Sequence, residues 1–133
     1  MTNEEIVDIV SKFRDLLKDV KTAYQVQSEI VNEADKAFGD IRHKCELDYP
    51  TSGKGKTQIC RLIEQYSKQR REAKERMQVL EPLVEFANKH GVMISVIGNV
   101  ANAMNRELKH VQGEKKYAPR VLTDLFKVNT SGN

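Results

Sequence analysis

The amino-acid sequence predicts an all-α protein: a long antiparallel helical hairpin with a third helix and a short C-terminal helix, joined by coiled-coil-like packing. Two segments carry apolar residues at helical spacing, and a loop with one Pro and two Gly separates them. A short apolar run at residues 92–98 could form a strand, but no second strand is available to pair with it. The chain of 133 residues is predicted to form one helical domain over residues 1–128.

The first helix is predicted over residues 3–47, because Thr2 and Glu5 make a capping box before the first apolar residue. Its apolar positions follow a heptad, interrupted only at Gln27. These positions are Ile6, Val10, Phe13, Leu17, Val20, Tyr24, Val31, Ala34, Phe38, Ile41 and Cys45. The residues predicted to form the core or oligomer seam are Phe13, Leu17, Val20, Tyr24, Gln27, Val31 and Phe38.

The length of the first helix bears on the shape and the oligomeric state of the protein. At 1.5 Å per residue it is about 65 Å long, whereas a compact globule of this chain length has a radius of gyration of about 14 Å. Either the helix breaks, with Gly39 and Asn32 as the favoured positions, or the molecule is elongated or oligomeric. We favour the elongated form with self-association.

Residues that favour loops and helix ends predict the boundaries of the other helices. A loop is predicted at 48–57, a second helix at 58–89, a third at 92–111, a short helix at 119–128 and a frayed tail at 129–133. Pro82 lies inside the second apolar pattern, so we expect a kink there or a new helix starting at Glu81.

Charge is distributed unevenly along the chain. The net charge is +3, but residues 1–50 carry −4 and residues 51–133 carry +7. The two halves could attract each other, or the basic half could bind an anionic ligand. No membrane span and no signal peptide are visible, so the predicted location is cytoplasmic, in the host cell if the chain is phage-encoded.

The candidate residues for binding an anion or a nucleic acid are all basic. They are Lys54, Lys56, Arg61, Lys68, Arg70, Arg71 and Lys74. Glu72 and Glu75 interrupt the run, so a salt-bridged solvated helix face is the alternative interpretation. The lysines near 53–57 do not form a nucleotide triphosphatase loop, because Pro50 stands where that motif needs glycine and a helix precedes the loop.

The sequence offers little support for catalysis or metal binding. It contains neither a serine elbow nor a His-Glu-x-x-His motif, and His43, Cys45, Cys60 and His90 lack the spacing of a zinc site. We therefore predict a protein that is not an enzyme and has no cofactor. The two cysteines are predicted to be reduced core residues that lie close to each other.

The stretch from Leu47-Asp48-Tyr49 through Arg70-Arg71-Glu-Ala-Lys74 to Leu80-Glu81-Pro82-Leu83 resembles small uncharacterised helical proteins of tailed phages of Gram-positive bacteria. In those proteins an acidic helix end precedes a helix with an Arg-Arg-x-x-Lys pattern and then Pro-Leu. The resemblance covers residues 43–86 and implies a role rather than site residues: binding a host component, neutralising a defence system or capturing a nucleotide signal.

Three functions are therefore expected as alternatives. The first is a phage-type regulator or inhibitor that occupies a host protein through its helical surface. The second is a nucleic-acid-binding protein that uses the basic second helix. The third is an oligomeric sponge that captures a phosphate-bearing nucleotide. The expected partners are a host protein or a second copy of the chain, with nucleic acid or nucleotide possible and no membrane.

Overall fold

A computed structural model describes residues 1–113 and 117–126, and within these ranges the chain forms helices and no strand. The helices are α1 (Asn3–Leu47), α2 (Gly53–Lys89) and α3 (Gly91–Gln112), followed by a short 3₁₀ helix at Thr123–Phe126. The all-α prediction is confirmed, and residues 92–98 are helical.

The capping box at the start of α1 forms as predicted. The Thr2 hydroxyl accepts a hydrogen bond from the Glu5 backbone N–H at 3.2 Å, and the Glu5 carboxylate accepts one from the Thr2 N–H at 2.9 Å. The 45-residue helix then runs without a break through Asn32 and Gly39, which excludes the alternative of a broken first helix. At its end, the Lys44 ammonium lies beside Asp48 and lowers the pKa of that carboxyl.

Helix α2 begins at Gly53, so the prediction that the loop extends to residue 57 is wrong. The Ser52 hydroxyl accepts a hydrogen bond from the Gly55 N–H at 3.0 Å, and this cap fixes the helix start. The helix also continues through Pro82, without a new start at Glu81. Half-buried Leu80, Leu83 and Val84 lie on both sides of the proline, and their packing offsets the lost backbone hydrogen bond.

A single residue, His90, separates α2 from α3. Its backbone adopts φ −123° and ψ 44°, outside the helical region, yet its N–H still bonds the Phe86 carbonyl at 2.9 Å. Its own carbonyl accepts from the Ile94 N–H at 3.2 Å, so the hydrogen-bond ladder passes across the junction. The imidazole lies against the Phe86 ring with centroids 4.9 Å apart.

Both α2 and α3 pack against α1, and they make far fewer contacts with each other. Polar contacts set the register: Arg70 of α2 binds Asp35, and Asn102 and Gln112 of α3 bind Arg14 and Glu4. In α3 the higher-numbered residue contacts the lower-numbered residue of α1, so these two helices are antiparallel. The second arm of the hairpin is thus two helices in succession.

The core between these helices is thin. Among the described residues, the buried hydrophobic side chains are Val7, Leu17, Val20, Ala34, Ala73, Ala87 and Ala101. Four of them are alanines, which let neighbouring helices approach closely. Of the predicted seam, Leu17 and Val20 are buried, whereas Tyr24, Gln27, Val31 and Phe38 are half-buried. Phe13 is 43% exposed, so it lies outside the core of the single chain, and its predicted place in an oligomer seam stays a prediction.

The predicted helix at 119–128 is shorter in the structure. Only Thr123–Phe126 is helical, in the 3₁₀ form, while residues 127–128 and the predicted tail at 129–133 lie outside the described residues. Its apolar side chains Val121, Leu122, Leu125 and Phe126 are exposed. A helix of this length needs tertiary packing to propagate, and these exposed side chains do not supply it.

Candidate binding surfaces

A groove on α2 brings together four of the seven basic residues that the sequence singles out. We call it the basic groove; it is open and about 790 Å³ in volume. Its lining residues are Phe38 of α1 and Glu64, Ser67, Lys68, Arg70, Arg71, Lys74, Glu75 and Gln78 of α2. On a helix, residues three and four apart share a face, which is why Lys68, Arg71 and Lys74 converge there.

The cations of the basic groove differ in how they are paired. The Arg70 Nε lies 2.8 Å from the Asp35 Oδ1, so this guanidinium links α2 to α1 and its charge is compensated. In the described part of the chain, no carboxylate lies within 4.0 Å of the charged groups of Lys68, Arg71 or Lys74. These three exposed side chains are therefore available to an anionic partner.

The other three predicted basic residues lie outside this groove. Because α2 begins at Gly53, Lys54 and Lys56 belong to its first turn, and Arg61 is exposed further along. The Lys56 Nζ lies 5.7 Å from the centroid of the Tyr49 ring, a weak cation–π contact. The seven predicted basic residues thus fall into two groups: four line the basic groove, and three lie toward the start of α2.

A second surface is apolar and lies along α1 and α3. Its residues are Ile6, Ile9, Phe13 and Leu16 of α1 and Met93, Val96, Val100 and Val111 of α3, and we call it the apolar face. Each of these side chains is between 37% and 55% exposed. Ile6 and Val111 line one small groove between the two helices together with Glu107, so the two rows meet at this end of the helix pair.

The opposite side of the same helix pair is polar, and sequence analysis missed it. Arg14 donates to the Asn102 side-chain oxygen at 3.1 Å, and Asn105 donates to the Ser11 hydroxyl at 3.1 Å and to the Ala101 carbonyl at 2.8 Å. Asn99, Asn102 and Asn105 recur every three residues in an otherwise apolar helix. That spacing is the signal that could have predicted a polar contact between helices.

The prediction that both cysteines are core residues is wrong. Cys45 is half-buried, Cys60 is exposed, and both are free thiols. Within residues 1–113 and 117–126, no group of three His, Cys, Asp or Glu side chains is placed to hold a metal ion. Over the same ranges, no helix combines the length and hydropathy needed to cross a bilayer.

Comparison with known proteins returned no relative. No family model matches the chain, and no curated protein or solved structure is similar to it at a significant level.

Proposed function

We propose that this chain is a non-catalytic binding protein that regulates or inhibits another protein through its helical surface, with the basic groove as the contact. For a phage-encoded chain the partner is a host component, such as a defence protein. The observation that carries the proposal is the set of three exposed cations, Lys68, Arg71 and Lys74, with no carboxylate within 4.0 Å. Oriented unpaired charges of one sign steer an oppositely charged partner and select against others.

The carboxylates of the groove favour a protein partner over a nucleic acid. Glu64 and Glu75 line the same surface as the three cations. Phosphates of a nucleic acid are uniformly negative, so each contact near Glu64 or Glu75 adds repulsion. A protein surface of mixed charge, mainly acidic, can instead pair with both signs. We therefore infer an acidic protein surface as the primary partner.

The test compares two triple variants of equal charge change. Lys68→Ala/Arg71→Ala/Lys74→Ala removes the cations of the groove, and Lys54→Ala/Lys56→Ala/Arg61→Ala removes those outside it. Each tagged variant and the native chain are used to recover proteins from nuclease-treated lysate of the host, followed by mass spectrometry. We expect one stoichiometric protein with the native chain and with the control variant, and its loss with the groove variant.

Two results would contradict the proposal. One is recovery of the same protein by the groove variant, since binding then does not need Lys68, Arg71 or Lys74. The other is repeated recovery of nothing by the native chain. Because all six substituted side chains are exposed, far-ultraviolet circular dichroism should show equal helix content in every variant.

Nucleic-acid binding is the second candidate, supported by the same three cations on one helix face. Three phosphate contacts predict that the logarithm of affinity falls with the logarithm of salt concentration with a slope of about −2 to −3. Fluorescence anisotropy with single-stranded and duplex DNA measures this slope. If the native chain binds DNA and only the groove variant loses the salt dependence, nucleic acid replaces protein as the partner.

A further inference from the structure

An open groove of about 930 Å³ lies between the N-terminal part of α1 and α3, and we call it the polar groove. Its charged lining residues are Glu4, Asp8 and Arg14 of α1 and Arg106 and Lys109 of α3. Small-molecule sites usually have volumes of about 300–1,000 Å³, so this groove is of suitable size. It shares no lining residue with the basic groove on α2 and is therefore a separate surface.

Two of these charged residues are compensated by neighbours on α1. The Asp8 Oδ2 lies 2.8 Å from the Lys12 Nζ, and the Arg14 Nε lies 3.0 Å from the Asp15 Oδ1. Each pair contains one positive and one negative charge, so the two pairs together add no net charge to the groove. Its electrostatic character is therefore set by the other three charged residues.

Two of those three residues are cations without an ionic partner. Within residues 1–113 and 117–126, no carboxylate lies within 4.0 Å of the charged groups of Arg106 or Lys109. The third, Glu4, accepts a hydrogen bond from the Gln112 side chain at 2.9 Å, which places it at the end of α3. Since Gln112 is about 9 Å from Arg106 along the helix axis, the middle of the groove is positive and favours an anion.

Amide groups continue the polar groove toward the start of α3. The Asn102 oxygen accepts a hydrogen bond from Arg14, and the Asn105 nitrogen donates to Ser11 and to the Ala101 carbonyl. In the described part of the chain, the Asn102 nitrogen, the Asn105 oxygen and both polar atoms of the Asn99 amide make no hydrogen bond. These free donors and acceptors suit hydroxyl groups, which both donate and accept.

A phosphate monoester fits the positive part of the groove better than a carboxylate does. It carries a charge of about −1.5 to −2 at neutral pH and has three strong acceptor oxygens. Arg106 and Lys109 are neighbours on the helix surface, so one phosphate can accept hydrogen bonds from both. A single carboxylate is already filled by a bidentate contact with one guanidinium, which would leave Lys109 without a partner.

The lining of the groove favours a sugar over a nucleoside as the rest of the ligand. Along α3, Asn102 and Asn99 lie about 6 and 10 Å from Arg106, within reach of hydroxyl groups attached to a bound phosphate. The described residues that line the groove are polar apart from Val7 and Leu108, and none of them is aromatic. A nucleobase would therefore find no ring on which to stack, whereas sugar hydroxyls can pair with the free amides.

We propose that the polar groove binds a phosphorylated sugar, with the phosphate between Arg106 and Lys109 and the hydroxyls at Asn102 and Asn99. The ligand is bound without being chemically changed. The groove lies on α1 and α3, away from the basic groove, so this proposal goes beyond the proposed function and does not depend on it.

The first test uses the native chain and three probes: ribose phosphate, ribose and adenosine monophosphate. Titration of the isotope-labelled chain is followed by the amide shifts in its NMR spectrum. We expect saturable shifts with ribose phosphate, centred on residues 99–109 and 4–14. Ribose should bind roughly tenfold more weakly or worse, because it lacks the groups that accept charge-assisted hydrogen bonds. Adenosine monophosphate should bind no more tightly than ribose phosphate.

The second test compares two double variants of equal charge change. Arg106→Ala/Lys109→Ala removes the free cations of the polar groove, and Lys18→Ala/Lys21→Ala removes two exposed cations of α1 outside both grooves. We expect affinity for ribose phosphate to fall by roughly tenfold for each cation removed from the groove and to stay unchanged in the control. Asn99→Ala should lower affinity for ribose phosphate but not for inorganic phosphate.

Several results would overturn the proposal. The absence of saturable shifts with ribose phosphate would do so, as would equal affinity for ribose. Tighter binding of adenosine monophosphate would replace the sugar with a nucleoside. Undiminished affinity in Arg106→Ala/Lys109→Ala would place the ligand elsewhere, and so would loss of affinity in the triple variant of the basic groove. Because the first test uses the native chain, a folding defect in a variant cannot hide a negative result.

Discussion

Gln27 is the residue at which the apolar seam of α1 is interrupted, and the structure leaves it in an unfavourable environment. Its side-chain oxygen is buried, and no hydrogen-bond partner in the described part of the chain satisfies it. Leaving a buried polar atom without a partner costs about 1–3 kcal/mol. A polar residue at one seam position also restricts which register two helices can adopt. The unsatisfied oxygen of Gln27 therefore lowers the stability of the fold.

We expect Gln27→Leu to raise the free energy of unfolding by about 1 kcal/mol, because it removes the unsatisfied oxygen and adds apolar contact with α2. Urea unfolding followed by circular dichroism measures the change. Gln25→Leu is the control, since Gln25 is exposed on the same helix and should leave stability nearly unchanged. Lower stability in Gln27→Leu would show that this position is not part of the seam.

The basic residues of α2 show how far the sequence alone predicts a binding site. The sequence singled out seven of them, and only the fold separates Arg70, which is paired with Asp35, from Lys68, Arg71 and Lys74, which are not. An ion pair between two helices depends on their relative register, and the spacing of residues within α2 does not specify that register.

At the scale of elements, a glycine inside a helix and a glycine at a helix start play opposite roles. Gly39 lies inside α1, and a Cβ added there meets nothing within 4 Å. Gly55 lies in the first turn of α2, where an added Cβ would come within 2.8 Å of the Pro50 Cβ. Gly39 is thus a glycine that the helix tolerates, whereas Gly55 allows the loop to pack closely against α2.

Gly39→Ala should raise the free energy of unfolding by about 1 kcal/mol, because alanine loses less backbone entropy in a helix interior. Gly55→Ala should instead lower it, because the Pro50 ring must move. Denaturant unfolding of both variants against the native chain gives the comparison. Destabilisation by Gly39→Ala would indicate that a neighbouring chain occupies that open space.

The two helix starts show what local sequence can predict. The start of α1 was predicted correctly, because Thr2 and Glu5 satisfy each other's backbone groups within one turn. The start of α2 was placed five residues too late, because two glycines and a proline outweighed the capping ability of Ser52 in the prediction. Both caps are local, so the second could also have been read from the sequence.

At the scale of the whole molecule, α3 packs against α1 and makes far fewer contacts with α2. The helix is held by its small apolar contacts and by the bonds of Asn102, Asn105 and Gln112 to α1. We therefore expect the N-terminal third of α1 and α3 to open together at lower free energy than α2. Units with few buried contacts open at lower free energy than the rest of a protein.

Asn105→Ala should weaken this unit, because it removes the bonds to Ser11 and to the Ala101 carbonyl and leaves the half-buried hydroxyl without this partner. We expect faster amide hydrogen exchange in α3 and in residues 3–20, with α2 unchanged. Asn99→Ala is the control, because Asn99 is exposed on the same helix. Equal acceleration in α2 would show that the three helices open together.

The sequence alone determined the all-α class and the three long helices, because helical periodicity and capping residues act over one or two turns. That α1 continues unbroken through Asn32 and Gly39 was decided by the structure. Tertiary structure decided which face of α1 each helix covers, and with it the exposure of Phe13 and the apolar face. It also decided which cations of α2 stay unpaired. These outcomes depend on the angle and register at which α3 leaves His90, and contacts between residues far apart in the chain fix both.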